Sequence, residues 1–460
     1  MDWIRRREPA SPGSRPERHS ADRRSPLGLG GIGIGGVTAL VLSRLLVLAS
    51  GLVGALAVAR RHGWQAFDVH RMSATLGSVG NAIGATSVRW DAIHYLYIAE
   101  SGYREKQDTV FFPFYPLLIK SLGAILRSHV IAGVLISTLS FTVAMVLLHR
   151  LAREELGQRT ADASLWLLAF APMSLFFTAI YTESLFLALS LGAFYAARHQ
   201  RWLIACALSA LAAVTRVPGV LLTVPLAILY WQSLDPSPAD SASGEDTAGH
   251  NTPLRAPASW LRGALTECSA RLRASQPRVL AALLLPAAAL LCFLVYMQRR
   301  GFGWSAPIKN QTGHAHEHTF AGPLWTLVHG FADGFSGLAH IISGSAPVCS
   351  RLNAGLSNAA ENFMLMVVLI ICIAALAITW RRLPKAYFIY ALLILIECLW
   401  SPVSYRPLMS LDRYALVIFP LWLAAADWTA ARRLVAPTVL LSAGLLCFFS
   451  ISIAAWAFIA

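Results

Sequence analysis

The feature that most constrains this chain is the recurrence of apolar runs near 20 residues, the length a helix needs to cross a hydrocarbon core about 30 Å thick. The runs fall at 30–59, 130–149, 163–181, 184–197, 202–215, 217–232, 279–297, 362–380, 386–400, 414–429 and 435–458, about eleven segments in all, several of the middle ones short. With 56% hydrophobic and 13% charged residues over 460 positions, the chain holds more apolar surface than one soluble core can bury. The expected fold class is therefore all-α, a polytopic transmembrane helical bundle.

The formal net charge of +14 sits in short clusters between the apolar runs, not along one stripe, so it reads as a topology signal and nucleic acid is not an expected partner. A basic tail, 1–29, is expected to be disordered in the cytoplasm. A cleaved signal peptide is not expected, because the apolar run that follows is long and no small-residue cleavage site stands out. With the tail inside, Arg150, Arg153 and Arg159 also fall inside, as do Arg198 and Arg201, then Arg255 to Arg278, then Arg381, Arg382 and Lys385, and finally Arg432 and Arg433. This divides the chain into an N-terminal membrane half, 30–232, with an outer loop at 60–129; a cytoplasmic linker of low complexity, 233–277; and a C-terminal membrane half, 278–460, with an outer loop at 298–361. No internal repeat is apparent, which counts against repeat-built transporters. Five of the seven cysteines lie inside apolar runs and no metal-ligand spacing appears, so neither a disulfide framework nor a zinc site is expected.

The unusual polar residues converge on the outer side. Arg89 to Gly102 has helical spacing, with Trp90, Ile93 and Tyr97 on one stripe and Asp91, His94 and Tyr95 on the adjacent face. Phe111 to Leu118 opens a second interfacial helix. A carboxylate beside Trp at an interface is costly without a partner or a task, which singles out Asp91, whereas Glu100 and Asp108 read as solvated. Glu183, between two spans with almost no loop, is either a functional acid or the first-turn residue of a helix. Arg216 stands alone in an apolar setting; it suits an anion such as phosphate, or an ion pair with Glu183. Between the last outer spans, Arg406, Asp412 and Arg413 face an aqueous cavity, with Arg413 as a phosphate or sugar ligand. The cluster His314, His316, Glu317 and His318 lacks zinc-enzyme spacing and reads as a solvated loop.

Taken together, these stretches resemble the PIG-V-like mannosyltransferases, the family of the second mannosyltransferase of GPI-anchor synthesis and its bacterial relatives. The resemblance rests on Trp90-Asp91-Ala92-Ile93-His94 with Ala99-Glu100-Ser101-Gly102-Tyr103, on Phe111-Phe112-Pro113 with Tyr115-Pro116-Leu117-Leu118, on Ala171-Pro172 through Tyr181-Thr182-Glu183-Ser184-Leu185-Phe186, on Thr215-Arg216, and on Asp412-Arg413-Tyr414. It implies a GT-C fold and a polyprenyl- or dolichyl-phosphate sugar donor, mannose first among the sugars. It also implies catalysis on the non-cytoplasmic face with an acid of the first outer loop as base, which falls on Asp91. A lipid, glycan or protein acceptor at a bacterial plasma membrane is expected, and no cofactor, because the donor carries its own leaving group and Arg216 and Arg413 can support a phosphate without a divalent ion. His94 and Glu183 complete the expected substrate-binding set. The rival reading is a transporter or flippase of a lipid-linked sugar, which would also use buried Arg and acids. The basic-loop alternation has a direct check: reporter fusions after residues 270 and 340 should read cytoplasmic and external respectively, and the opposite pattern would put the candidate residues on the wrong face.

Overall fold

A span that breaks in mid-course organises the bundle. The computed structural model describes residues 32–58, 60, 63–234, 271, 274–310, 319, 321–350 and 355–459. Within them the chain is helical apart from 3-10 turns, irregular segments and two isolated β-bridges. The N-terminal stretch runs α1 (Gly33–Ala57), α2 (Gly77–Ile83), α3 (Asp91–Ser101), α4 (Phe114–Leu126), α5 (His129–Leu156), α6 (Gln158–Ala169), α7 (Glu183–Arg198), α8 (Trp202–Ala213) and α9 (Thr223–Ser233). The later stretch runs α10 (Pro277–Ala282), α11 (Leu285–Arg299), α12 (Ala306–Lys309), α13 (Pro323–Ile342), α14 (Asn358–Arg382), α15 (Lys385–Cys398), α16 (Leu411–Ala415), α17 (Phe419–Ala431) and α18 (Val435–Ala454). Among the described residues, five segments are long and apolar enough to cross a membrane: α1, α5, Pro277–Arg299, α14 and α18. The basic tail, most of the linker and the His-rich cluster lie outside the described residues.

The run expected as a continuous span over 163–181 is helical only to Ala169. From Phe170 to Thr182 the backbone passes through turns and one 3-10 segment, Ser174–Phe177, with nearly every side chain buried. Irregular backbone at membrane depth is tolerated only where protein or a polar cavity satisfies its carbonyls. Here Arg44 of α1 does so: its guanidinium donates to Ser174 O at 2.7 Å, Ala169 O at 3.0 Å and Ser174 Oγ at 2.8 Å. The break delivers Tyr181, Thr182 and Glu183 to the start of α7.

Contacts between helix ends give the bundle two chemically different poles. At one, Arg198 at the end of α7 pairs with Glu155 of α5 at 2.7 Å, Glu155 also accepts from Tyr387 of α15, and Arg382 at the end of α14 pairs with Asp427 of α17 at 2.9 Å. These are the basic connections that the alternation places together. The opposite ends of α7, α14 and α15 carry Glu183, Glu361 and Glu397, and they meet at the other pole. Both membrane stretches contribute to one core, with α1 packed on α18 and α8 on α11.

In the segment between α1 and α5, α4 keeps an exposed apolar edge at Leu117 and Ile125. α3 is embedded more deeply than a stripe would be: Ala92, Ile93, Tyr95, Leu96, Ile98 and Ala99 are all buried, because α3 packs on both α4 and α5. Between α12 and α14 lies a helix the hydropathy pattern left unmarked, α13, whose Gly330, Gly334 and Gly337 press against Leu408, Met366 and Ala359. The turn that carries Arg216 is closed by backbone packing, for a Cβ on Gly219 would sit 2.2 Å from the carbonyl carbon of Ala212. Gly219→Ala should therefore lower the melting temperature of the purified protein by several degrees through overpacking, about 1–3 kcal/mol or more. Gly444→Ala, at a site with nothing within 4 Å, should leave it unchanged; equal melting of the two variants would refute the close approach.

Candidate active site

At the second pole the helix ends enclose a cavity of about 1570 Å³. Its wall includes Asp91, His94, Glu183, Arg216 and Arg413, so the residues singled out in separate stretches of sequence face one space.

Four of them form a single ion network. Arg413 Nη1 donates to Asp91 Oδ2 at 2.8 Å, and Arg413 Nε lies 3.4 Å from Glu183 Oε1. The same Glu183 oxygen accepts from Arg216 Nη1 at 2.6 Å. Glu183 Oε2 is buried and accepts no hydrogen bond from any described residue. Asp91 is the outlying member, with 30% of its side chain exposed against 1% for Glu183. Burial alone would lower the pKa of Arg413, but Asp91, Tyr414, Glu183 and Tyr181 around it outweigh that and hold it well above its ordinary value. Arg216 is likewise raised, with Glu183 opposing the cost of burial.

Unusual backbone sets both ends of the Asp91–Arg413 contact. Trp90, which precedes α3, has φ +55°, and Ser410, which precedes α16, has φ +65°. Non-glycine residues seldom adopt this left-handed half of the map, and they persist there when surroundings over-determine them. Trp90 Nε1 donates to Ala457 O at 3.1 Å, and its ring meets Phe67 and Phe458. The Asp91 N–H donates to Tyr181 Oη at 3.2 Å, and that hydroxyl donates to Arg89 O at 3.1 Å. The tyrosine of Tyr-Thr-Glu-Ser thus orders the backbone of the Trp-Asp loop.

His94 occupies a different position from the one its place beside Asp91 implied. Its ring stacks on Phe111 with centroids 4.7 Å apart, and Nδ1 lies 3.5 Å from Asp108 Oδ1. Asp108, expected to be solvated, is fully buried, because its Oδ2 accepts from the backbone N–H groups of Arg104 and Glu105 in a capping box with Glu105. The Glu-x-x-Asp spacing carried that signal. Glu100 is exposed, as expected. Arg406 also lines the cavity, paired with Glu361 at 2.6 Å; Glu361, a first-turn residue of α14, has no mark in the sequence beyond a favourable place for an acid. Asp412 is buried, not solvent-facing, and accepts from the Arg413 N–H at 2.8 Å. No group of three or more potential metal-ligating side chains occurs among the described residues.

These features define a class: a membrane-embedded helical protein with a cavity at one end, on whose wall two arginines and two carboxylates are joined in one network. The comparisons narrow it. Residues 36–232 match the mannosyltransferase (PIG-V) family, which bears out the resemblance carried by the motifs. The GPI alpha-1,6-mannosyltransferase 2 of Mus musculus is 36% identical over 143 residues, 29% of either chain, and that of Rattus norvegicus is 34% identical over 173 residues, 35% of either. The matches thus span about a third of those relatives. Two solved structures superpose at 14% identity: the Archaeoglobus fulgidus oligosaccharyltransferase, with a TM-score of 0.41 over 92% of this chain and 55% of that one, and ArnT from Cupriavidus metallidurans bound to undecaprenyl phosphate, with a TM-score of 0.37 over 91% and 76%.

Burial pushes the Asp412 carboxyl up to about 6, although its bond from the Arg413 N–H and the Arg413 charge favour ionisation. A raised folded-state pKa means the charged form costs stability above about pH 6, and the cost is relieved as pH falls from there towards the ordinary carboxylate value. Asp412→Asn, which still accepts the backbone bond, should melt higher than the parent at pH 8. The gap should close between about pH 6 and pH 4; a gap that widens on acidification would contradict the assignment.

Proposed function

We propose that this protein is an inverting glycosyltransferase. It moves a sugar, mannose in the first instance, from a polyprenyl- or dolichyl-phosphate donor to a membrane-associated acceptor on the non-cytoplasmic face. The observation that carries this reading is the Asp91–Arg413–Glu183–Arg216 network on the wall of one large cavity. The family match over 36–232 supports the transfer chemistry.

The donor's phosphate needs cationic support as it leaves, and each guanidinium has five N–H donors of which the network uses only part. Phosphate bound between Arg413 and Arg216 competes with Asp91 for Arg413. Asp91, relieved of its cation, becomes the stronger base, since an adjacent guanidinium holds a carboxylate's pKa down. The acceptor hydroxyl oxygen then attacks the anomeric carbon from the face opposite the phosphate. The bond between that carbon and the phosphate oxygen breaks, polyprenyl phosphate departs with the electron pair, and the hydroxyl proton passes to Asp91. Glu183, buried and shared by both guanidiniums, keeps them in place between turnovers.

Transfer from polyprenyl-phosphate [14C]mannose by the purified protein, over a panel of membrane acceptors, tests the reading. Asp91→Asn should cut transfer by about 10²–10⁴ with donor still bound, and Glu100→Gln should leave the rate unchanged. Arg413→Lys and Arg216→Lys should each weaken donor binding, since ammonium does not reproduce a bidentate fork. Parental transfer by Asp91→Asn would move the base elsewhere, Glu183 first.

A further inference from the structure

The cavity has a second polar wall whose chemistry differs from that of the first, and its residues lie outside 36–232. Arg406 Nη1 sits 2.6 Å from Glu361 Oε2, with 11% and 6% of the two side chains exposed, and Arg406 Nη2 donates to Asn358 Oδ1 at 3.0 Å. Both terminal nitrogens of this guanidinium are therefore engaged, and its Nε is buried with no hydrogen-bond partner among the described residues. Here one guanidinium faces one carboxylate and a neutral amide, so the wall has no surplus positive charge to hold a phosphate. At the first wall two guanidiniums, Arg413 and Arg216, stand together around Glu183.

Resting on the glycosyl-transfer reading, we infer that Glu361, Asn358 and Arg406 form the subsite that recognises hydroxyl groups of a sugar on the acceptor, and so set which acceptor is used. Each sugar hydroxyl brings a proton that needs an acceptor, and a carboxylate offers about four lone-pair sites for such protons. The Asn358 amide supplies both a donor and an acceptor type. The Arg406 contact fixes the Glu361 carboxyl in direction. Phe458, also on the cavity wall, has its ring centroid 5.9 Å from the Arg406 guanidinium and stands edge-on to Trp90 at 5.0 Å. It offers an apolar face for the C–H side of a sugar ring, and it links this wall to the residue before Asp91. The space of about 1570 Å³ exceeds the roughly 300–1,000 Å³ of an ordinary single-ligand pocket, as two substrates side by side require. Anion recognition and the base thus belong mostly to the family-matched stretch, and acceptor choice to the remainder of the chain.

Equilibrium titration of the purified full-length protein in detergent, with methyl α-mannoside and with undecaprenyl phosphate as separate probes, tests this. Glu361→Gln and Asn358→Ala should each weaken mannoside binding about tenfold or more, as expected for loss of a hydrogen bond within a charged cluster, and leave undecaprenyl phosphate affinity within about twofold. Arg413→Lys should do the converse. Asn358 is exposed at the start of α14, so Asn358→Ala carries the test even if Glu361→Gln unfolds by stranding Arg406. Mannoside binding that is parental in Asn358→Ala, undetectable in the parent, or lost together with phosphate binding would overturn the subsite. Failure of undecaprenyl phosphate to bind the parent would instead remove the donor reading, and the mannoside arm would still decide the subsite by itself.

Discussion

The arrangement of the cavity pole depends on charge neutralisation away from water. Arg413 and Arg216 are each about nine-tenths buried, and a lone buried charge costs several kcal/mol even after relaxation. Asp91 and Glu183 make them tolerable, at the expense of joining four segments far apart in sequence. The loop before α3, the broken span before α7, the turn after α8 and the start of α16 must all reach their places before any of the four charges is satisfied. The same network that constrains the fold is the proposed chemical apparatus, because a phosphate entering it exchanges one anionic partner for another.

Much of this was legible in the chain. Asp91, Glu183, Arg216 and Arg413 stand out because an ionisable residue beside an apolar run has few reasons to be there, and the structure gathers all four. Hydropathy located the long spans but is blind to how a run is divided between helix and turn, so 163–181 read as one span although it is helical only to Ala169. α13 escaped notice because its apolar stripe is interrupted by Gly330, Gly334, Gly337, His329 and Asp333. The glycines are there for close packing, not for lipid.

The misplaced expectations share a cause. Asp108 looked solvated because its neighbours Arg104, Glu105 and Lys106 are polar, yet a carboxylate that satisfies backbone N–H groups can be buried without a counter-charge of its own. His94 was referred to Asp91 by helical spacing, but the chain after Gly102 folds back and supplies Asp108 and Phe111 as its nearer partners. Local periodicity reports which residues share a face. It carries no information about what a later segment lays against that face, and the Glu361–Arg406 wall, assembled from two distant connections, is the extreme instance.

The Arg44 contacts bear on the order in which the bundle assembles. Without α6, the Arg44 guanidinium keeps only Ser43 of its own helix as a partner; without α1, the Ala169 and Ser174 carbonyls lose their charged donor, and Ala169 O keeps only the Ser174 hydroxyl. Each helix makes the other's insertion affordable, over a separation of 125 residues. These bonds of α1 can form only once the chain as far as Ser174 is present. The proposed donor site, by contrast, is complete only with α16, near the far end of the chain, which brings Arg413 to Asp91.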